Sequence, residues 1–241
     1  MADKTQITEI KRLARQGESV NEIKDKLDLA KSTVYYHFKK EVGQKQKENQ
    51  VKIPEDEEVK GEICGIFAGD GYFKEYENGH YTTVLTLNYK QNYWKRLSSF
   101  LEDNLDKEAH FIRQDSRARL KYDSKKLYKM LKTYLAWKED KTASIELKNG
   151  ELSRDFKKGF LRGLIDTDGN LNNERYIFNT ISRNLKQSIT DLLKDLEMDY
   201  SLRIDEDKRE NCRDMHRVIL TQKSSKKFQA EIRPRHPKKE L

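Results

Sequence analysis

Two stretches of this chain are versions of each other. GEICGIFAGDGYF (residues 61–73) and GFLRGLIDTDGNL (159–171) align at a constant spacing of 98 residues. Gly61, Gly65, Asp70 and Gly71 fall on Gly159, Gly163, Asp168 and Gly169. The apolar pairs Ile63/Leu161, Ile66/Leu164, Phe67/Ile165 and Phe73/Leu171 coincide as well. An internal repeat constrains a fold more than any local propensity, because one supersecondary unit must then be built twice.

The repeated stretch reads as a helix ending in an acid and a glycine. Gly61 and Gly65, like Gly159 and Gly163, recur every fourth residue on one helical face. A glycine inside a helix costs about 1 kcal/mol relative to alanine. It is tolerated where two backbones touch, so the four glycines predict that the helices cross on these faces. Their C-terminal ends then lie side by side and bring Asp70 beside Asp168. The helix dipole disfavours an anion there by roughly 0.3–1 kcal/mol, and the two charges repel. Carboxylates gathered with helix-end carbonyls make an oxygen-rich pocket suited to a hard divalent cation, Mg²⁺ or Mn²⁺. Gly71 and Gly169 are expected to supply a left-handed turn out of each helix.

After each acid the same order of elements recurs. In the first copy YFKEY and HYTTVLTLN flank the turn signal Asn78-Gly79, as in a β-hairpin. A helix over 92–105, strands AHFIR and ARLKY, and a helix over 125–137 follow. The second copy has a shorter hairpin ending in RYIFNTIS, a helix over 184–198, strands YSLRI and HRVIL, and a helix over 224–232. The fold class is α+β. Two αββαββα units occupy 57–150 and 151–241, each sheet having one apolar face for its helices and one left open for a partner.

Ahead of the repeats, residues 1–42 read as three short helices. Gly17 stops the first, and Ser19-Val-Asn-Glu22 has the form of a capping box for the second. The segment GESVNEIKDKLDLAKSTVYYHFKK resembles the helix-turn-helix family, whose last helix enters the DNA major groove. The resemblance implies DNA contacts from Lys31, Ser32, Thr33 and Tyr36. Residues 43–56 are polar, contain a proline and read as a linker.

The chain has 49 Lys+Arg against 41 Asp+Glu, a net charge of +8 that fits a nucleic-acid partner. There is no membrane-length apolar run and no targeting segment, and cysteines are two, so an intracellular, cytoplasmic protein is expected. Cys212 and His216 lack a second ligand pair at zinc spacing, and the spacing around Asp166 lacks the glycine and the closing glutamate of a calcium loop.

LRGLIDTDG (161–169) and, more loosely, ICGIFAGDG (63–71) resemble the signature of the LAGLIDADG homing endonucleases, and the resemblance covers about residues 57–241. It implies a pseudo-symmetric monomer whose two sheets form a saddle over double-stranded DNA. It implies metal-dependent cleavage of both strands, with Asp70 and Asp168 as the metal-binding and catalytic acids. The ending RHPKKEL resembles the family's closing pattern and implies a basic catalytic role for Lys239. WKEDK aligns with it in the first unit and points to Lys141. Lys74, Thr86, Arg119, Arg175 and Asn179 are the strand positions expected to face DNA. Two departures stand out. Ala68 occupies the place of Asp166, so Asp166 is expected to matter less than the paired acids. Arg162 stands where the family has a small residue. The alternative on the same fold is a non-cleaving transcription regulator or an RNA-binding maturase; retention of both acids favours the nuclease. Splicing nucleophiles are absent from both ends, so a free-standing protein is expected rather than an intein.

Overall fold

The computed structural model describes residues 2–42, 51–77, 79–148, 150–206, 213–239 and 241. Most of the expected linker, Asn78 of the turn signal, and Cys212 lie outside the described residues. The chain forms two compact units, Met1–Gln50 and Val51–Leu241.

In the smaller unit, α1 (Lys4–Arg15), α2 (Val20–Leu27) and α3 (Lys31–Val42) enclose Ile10, Leu13, Ala14, Ile23, Val34 and Phe38. The capping box at α2 is reciprocal: the Glu22 N–H donates to Ser19 Oγ at 3.3 Å and the Ser19 N–H to Glu22 Oε2 at 2.7 Å. Gly17, at φ +87°, follows α1, and Asp28, at φ 48°, ends α2.

The larger unit begins earlier than the helix pattern implies. Val51 is buried in its core and the Lys52 N–H donates to the Leu105 carbonyl at 2.8 Å. Then come α4 (Glu57–Asp70), β1 (Gly71–Glu75), β2 (Tyr81–Asn88), α5 (Tyr93–Leu105), β3 (His110–Gln114), β4 (Arg117–Tyr122) and α6 (Lys125–Tyr134). A small insertion holds β5 (Leu135–Ala136), α7 (Lys141–Ser144) and β6 (Glu146–Leu147). The series resumes with α8 (Arg154–Asp168), β7 (Gly169–Asn172), β8 (Arg175–Thr180), α9 (Arg183–Asp195), β9 (Tyr200–Asp205), β10 (Met215–Leu220) and α10 (Gln222–Glu231), and closes in a 3₁₀ turn, Pro237–Lys239.

The two four-stranded antiparallel sheets have the same order, β1-β2-β4-β3 and β7-β8-β10-β9. Register matches too: Gly71 pairs with Leu85 as Gly169 pairs with Phe178, and Thr86 with Arg119 as Asn179 with Arg217. The shorter second hairpin turns on Asn173 and Glu174, both at positive φ, as a two-residue hairpin loop with the right twist requires. Both halves share one continuous core, from Val51 through Phe156 and Phe160 to Ile232.

Two local expectations change. The helix expected over 125–137 ends at Tyr134, because Leu135 and Leu147 bury as strand partners and the Lys148 N–H donates to the Tyr134 carbonyl at 2.8 Å. Gly71 and Gly169 do not make a left-handed turn. Their backbones are extended, at φ −83° and −90°. Glycine is needed there for space, since a Cβ would collide with Phe67 of the preceding turn in one case and with Ile165 in the other.

Candidate active site

The site begins where α4 and α8 cross. A Cβ on Gly61 would strike the carbonyl of Phe156, and one on Gly65 that of Phe160. Reciprocally, Gly159 faces Glu58 and Gly163 faces Glu62. The four glycines therefore set the backbones in direct contact, and the crossing leaves the two C-terminal ends adjacent. At Gly69 an added Cβ would lie 3.2 Å from Asp168 Oδ2, which puts that carboxylate against the last turn of α4.

Asp70 and Asp168 are half-buried at these ends. Burial and then the charge of Asp168 raise Asp70 to about 7, against the pull of Lys141 and Lys239. Burial likewise raises Asp168, again opposed by the two lysines. An acidic pair held with such energy is what a bound cation would relieve.

The lysines complete the arrangement. Lys141 Nζ donates to the carbonyls of Ala68 and, at 2.6 Å, Gly69. Lys239 Nζ donates to those of Ile165 at 2.8 Å and Asp166 at 2.9 Å. Each ammonium thus caps the negative end of the helix that carries an acid. Burial lowers both lysines to about 8, opposed by the neighbouring acids. Lys141 and Lys239 are themselves 98 residues apart, the spacing of the repeat. The structure brings together the four expected catalytic residues.

The strands divide the remaining candidates. Thr86 and Arg119 are partners on the open face of the first sheet, and Lys74 is exposed on that face of β1. Asn179 and exposed Arg175 take the open face of the second. Asn179 reaches the end of α8, its Nδ2 donating to the Asp168 carbonyl at 3.2 Å and to Asn170 Oδ1 at 2.9 Å. With Lys141 and Asp168 it lines a cavity of about 250 Å³. Arg203 and Arg217, which sequence reasoning passed over, extend this face. Both pair with Asp205, at 2.7 and 2.5 Å. The repeat spacing maps Arg119 onto Arg217 and was the signal available. In the smaller unit Lys31, Ser32 and Tyr36 are exposed and Thr33 partly so, and Lys40 lies over the Tyr36 ring at 4.4 Å.

Arg162 also finds a purpose. It is 7% exposed, with Nη1 on Glu62 at 2.8 Å, Nη2 on Glu58 and Nε on the Ile232 carbonyl at 2.5 Å. Glu62, 1% exposed, also receives Arg235 Nε at 2.6 Å. A large cation fits because two acids of α4 meet it, an ionic lock across the helix pair.

Comparison with known proteins bears on the fold. Residues 155–233 match the family model of the LAGLIDADG-like domain. The chain shares the fold of LAGLIDADG endonucleases. A structure from a study of mesophilic variants of the homing endonuclease I-DmoI superposes with a TM-score of 0.56 at 18% identity, over 73% of this chain and 96% of that one. I-DmoI in complex with DNA and Ca superposes equally well at 19% identity, over 73% and 89% of the two chains. Meganuclease I-SmaMI bound to uncleaveable DNA gives 0.50 at 12%, over 75% and 86%. No curated protein matches the sequence. Among the described residues no helix is long and apolar enough to cross a membrane.

Proposed function

We propose that this chain is a site-specific, divalent-metal-dependent DNA endonuclease that cuts both strands of a long target as a monomer. The observation that carries the reading is the doubled site: two acids and two lysines at the ends of two helices in backbone contact. Among the described residues no cluster of three or more His, Cys, Asp or Glu could enclose a metal by itself. Two carboxylates fit Mg²⁺ nonetheless, because it keeps several waters and binds through one or two carboxylates together with substrate phosphates. Asp70 and Asp168 would hold it. When bound, such a cation polarises a phosphate and makes water a better nucleophile. Lys141 and Lys239 supply positive charge beside the phosphates being cut, where charge develops during hydrolysis. Their depressed pKa values leave them able to give up or take a proton near neutral pH. Lys74, Arg119, Arg175, Arg203 and Arg217 hold the duplex by its phosphates, and Thr86 and Asn179 face it nearest the centre. Domains follow as helix-turn-helix, linker and two half-site units. Lys31, Ser32, Thr33 and Tyr36 contact further DNA.

The test is cleavage of a randomised duplex library by the full-length chain with Mg²⁺, followed by sequencing of the cut ends. Metal-dependent double-strand breaks at a defined sequence are expected, and chelator should stop them. Tight binding without cutting under any divalent cation would overturn the nuclease reading in favour of a non-cleaving regulator.

A further inference from the structure

The sequence treats Asp166 as the lesser acid, since Ala68 takes its place in the first half. The structure gives it a different use. Asp166 is 2% exposed and its carboxylate meets the C-terminal segment. Its carboxylate accepts the backbone N–H of Arg235 at 2.9 Å and that of His236 at 3.1 Å. From there the chain turns tightly, the Lys239 N–H donating to the His236 carbonyl at 2.8 Å. The hydroxyl of Tyr176, a fully buried ring, is shared between two acceptors, the Lys239 carbonyl at 2.7 Å and Gln229 Oε1. The segment that carries Lys239 is therefore held at two places, at Arg235–His236 by the Asp166 carboxylate and at the Lys239 carbonyl by Tyr176, and the Lys239 ammonium reaches the end of α8.

We propose that Asp166 is the positioning residue for Lys239, so that its loss converts a double-strand nuclease into one that nicks a single strand. The proposal rests on the nuclease reading above. Its asymmetry comes from the first half, where Ala68 stands in the place of Asp166 and, among the described residues, no buried carboxylate lies under the strap bearing Lys141. There Trp137, the repeat counterpart of Arg235, stacks on Phe73 with centroids 4.3 Å apart. Removing the Asp166 carboxylate should leave that strap untouched. A misplacement of about 1 Å in a catalytic group can cost about 100-fold in rate, which sets the expected size of the effect.

The experiment uses a target recovered from the library selection, labelled with a different dye on each strand. In Asp166→Asn one strand should be cut about 100-fold more slowly and the other within about twofold of the parent. Lys239→Met should impair the same strand, and the double variant should be no slower than Lys239→Met alone, as expected for residues acting through one another. Tyr176→Phe, a gentler change should Asp166→Asn fail to fold, should slow that strand by about tenfold. Hydrogen exchange supplies a readout independent of cutting: the amides of Arg235 and His236 should exchange faster in Asp166→Asn. Equal loss on both strands in a folded variant, or no loss, overturns the positioning role while leaving the nuclease reading intact. A parent protein that cuts neither strand removes the nuclease reading and the strand assignment with it, whereas unchanged exchange at Arg235 and His236 would overturn the anchoring alone.

Discussion

The two halves deliver the same lysine by different physics. In the first, the strap from Trp137 to Leu147 is held by an aromatic stack on Phe73, by the Ser182 hydroxyl donating to the Ile145 carbonyl at 2.7 Å, and by an exposed Arg213–Asp140 pair at 2.9 Å. In the second, the strap from Arg235 to Lys239 is held by the Asp166 carboxylate, by the Arg235–Glu62 pair and by Arg235 over Phe100 at 4.9 Å. Each strap also leans on the opposite half, Ser182 and Arg213 supporting the first, Glu62 and Phe100 the second. The position of the ammonium is repeated, whereas its supports are not. A duplicated unit can exchange its supporting contacts freely as long as the main chain ends in the same place.

The comparison can be broken most forcefully at what the halves have in common. Asp70→Asn and Asp168→Asn keep the shape and remove the charge, so each should abolish double-strand cleavage while DNA binding stays within a few-fold. Plasmid linearisation and a binding titration check this, and normal linearisation by either variant would end the metal-site assignment. Next in size is the shared helix contact. Gly163→Ala puts a methyl group into the Glu62 carbonyl, as Gly65→Ala does into that of Phe160, and each should cost about 3 kcal/mol in a denaturant melt. A near-neutral result at either would show that the helices can separate.

The straps should then differ. Trp137→Ala removes a partly buried ring and is expected to cost about 2 kcal/mol. Arg213→Ala removes an exposed pair and should cost under about 0.5 kcal/mol, with cleavage within about twofold. Equal costs would mean that the first strap is also held ionically.

A last expected effect is in pH. Asp70 titrates near 7 in the fold, above its ordinary value of 3.8. The folded state therefore binds a proton that the unfolded chain has already lost, and this contribution to stability falls away as pH rises from about 4 through 7. Metal-free melting temperature should decline over that window by a few degrees, and less so in Asp70→Asn. Added Mg²⁺ should flatten the decline. A metal-free profile identical in parent and variant would show that neither burial nor Asp168 raises Asp70.

Much of this was legible in the chain itself. The spacing of 98 residues, the glycines at every fourth place and the alternation along each strand fixed two like units, the helix crossing and the acid pair, because all three are local periodicities. Even Lys141 could be placed by alignment with the closing segment. Other features were decided only by tertiary structure. Gly71 and Gly169 proved necessary for clearance from a preceding turn, which depends on neighbouring atoms and leaves no trace in propensity. The short hairpin of Leu135 and Leu147 overrode a helical pattern because both side chains bury together across an insertion. Arg162 and Asp166, an apparent misfit and an apparent spare acid, acquired partners up to 104 residues away, Glu58 and Glu62 for the first and the Arg235–His236 backbone for the second. Sequence reports what a residue type prefers over a few neighbours, whereas the worth of a buried charge depends on which opposite charges and N–H groups the finished fold brings to it.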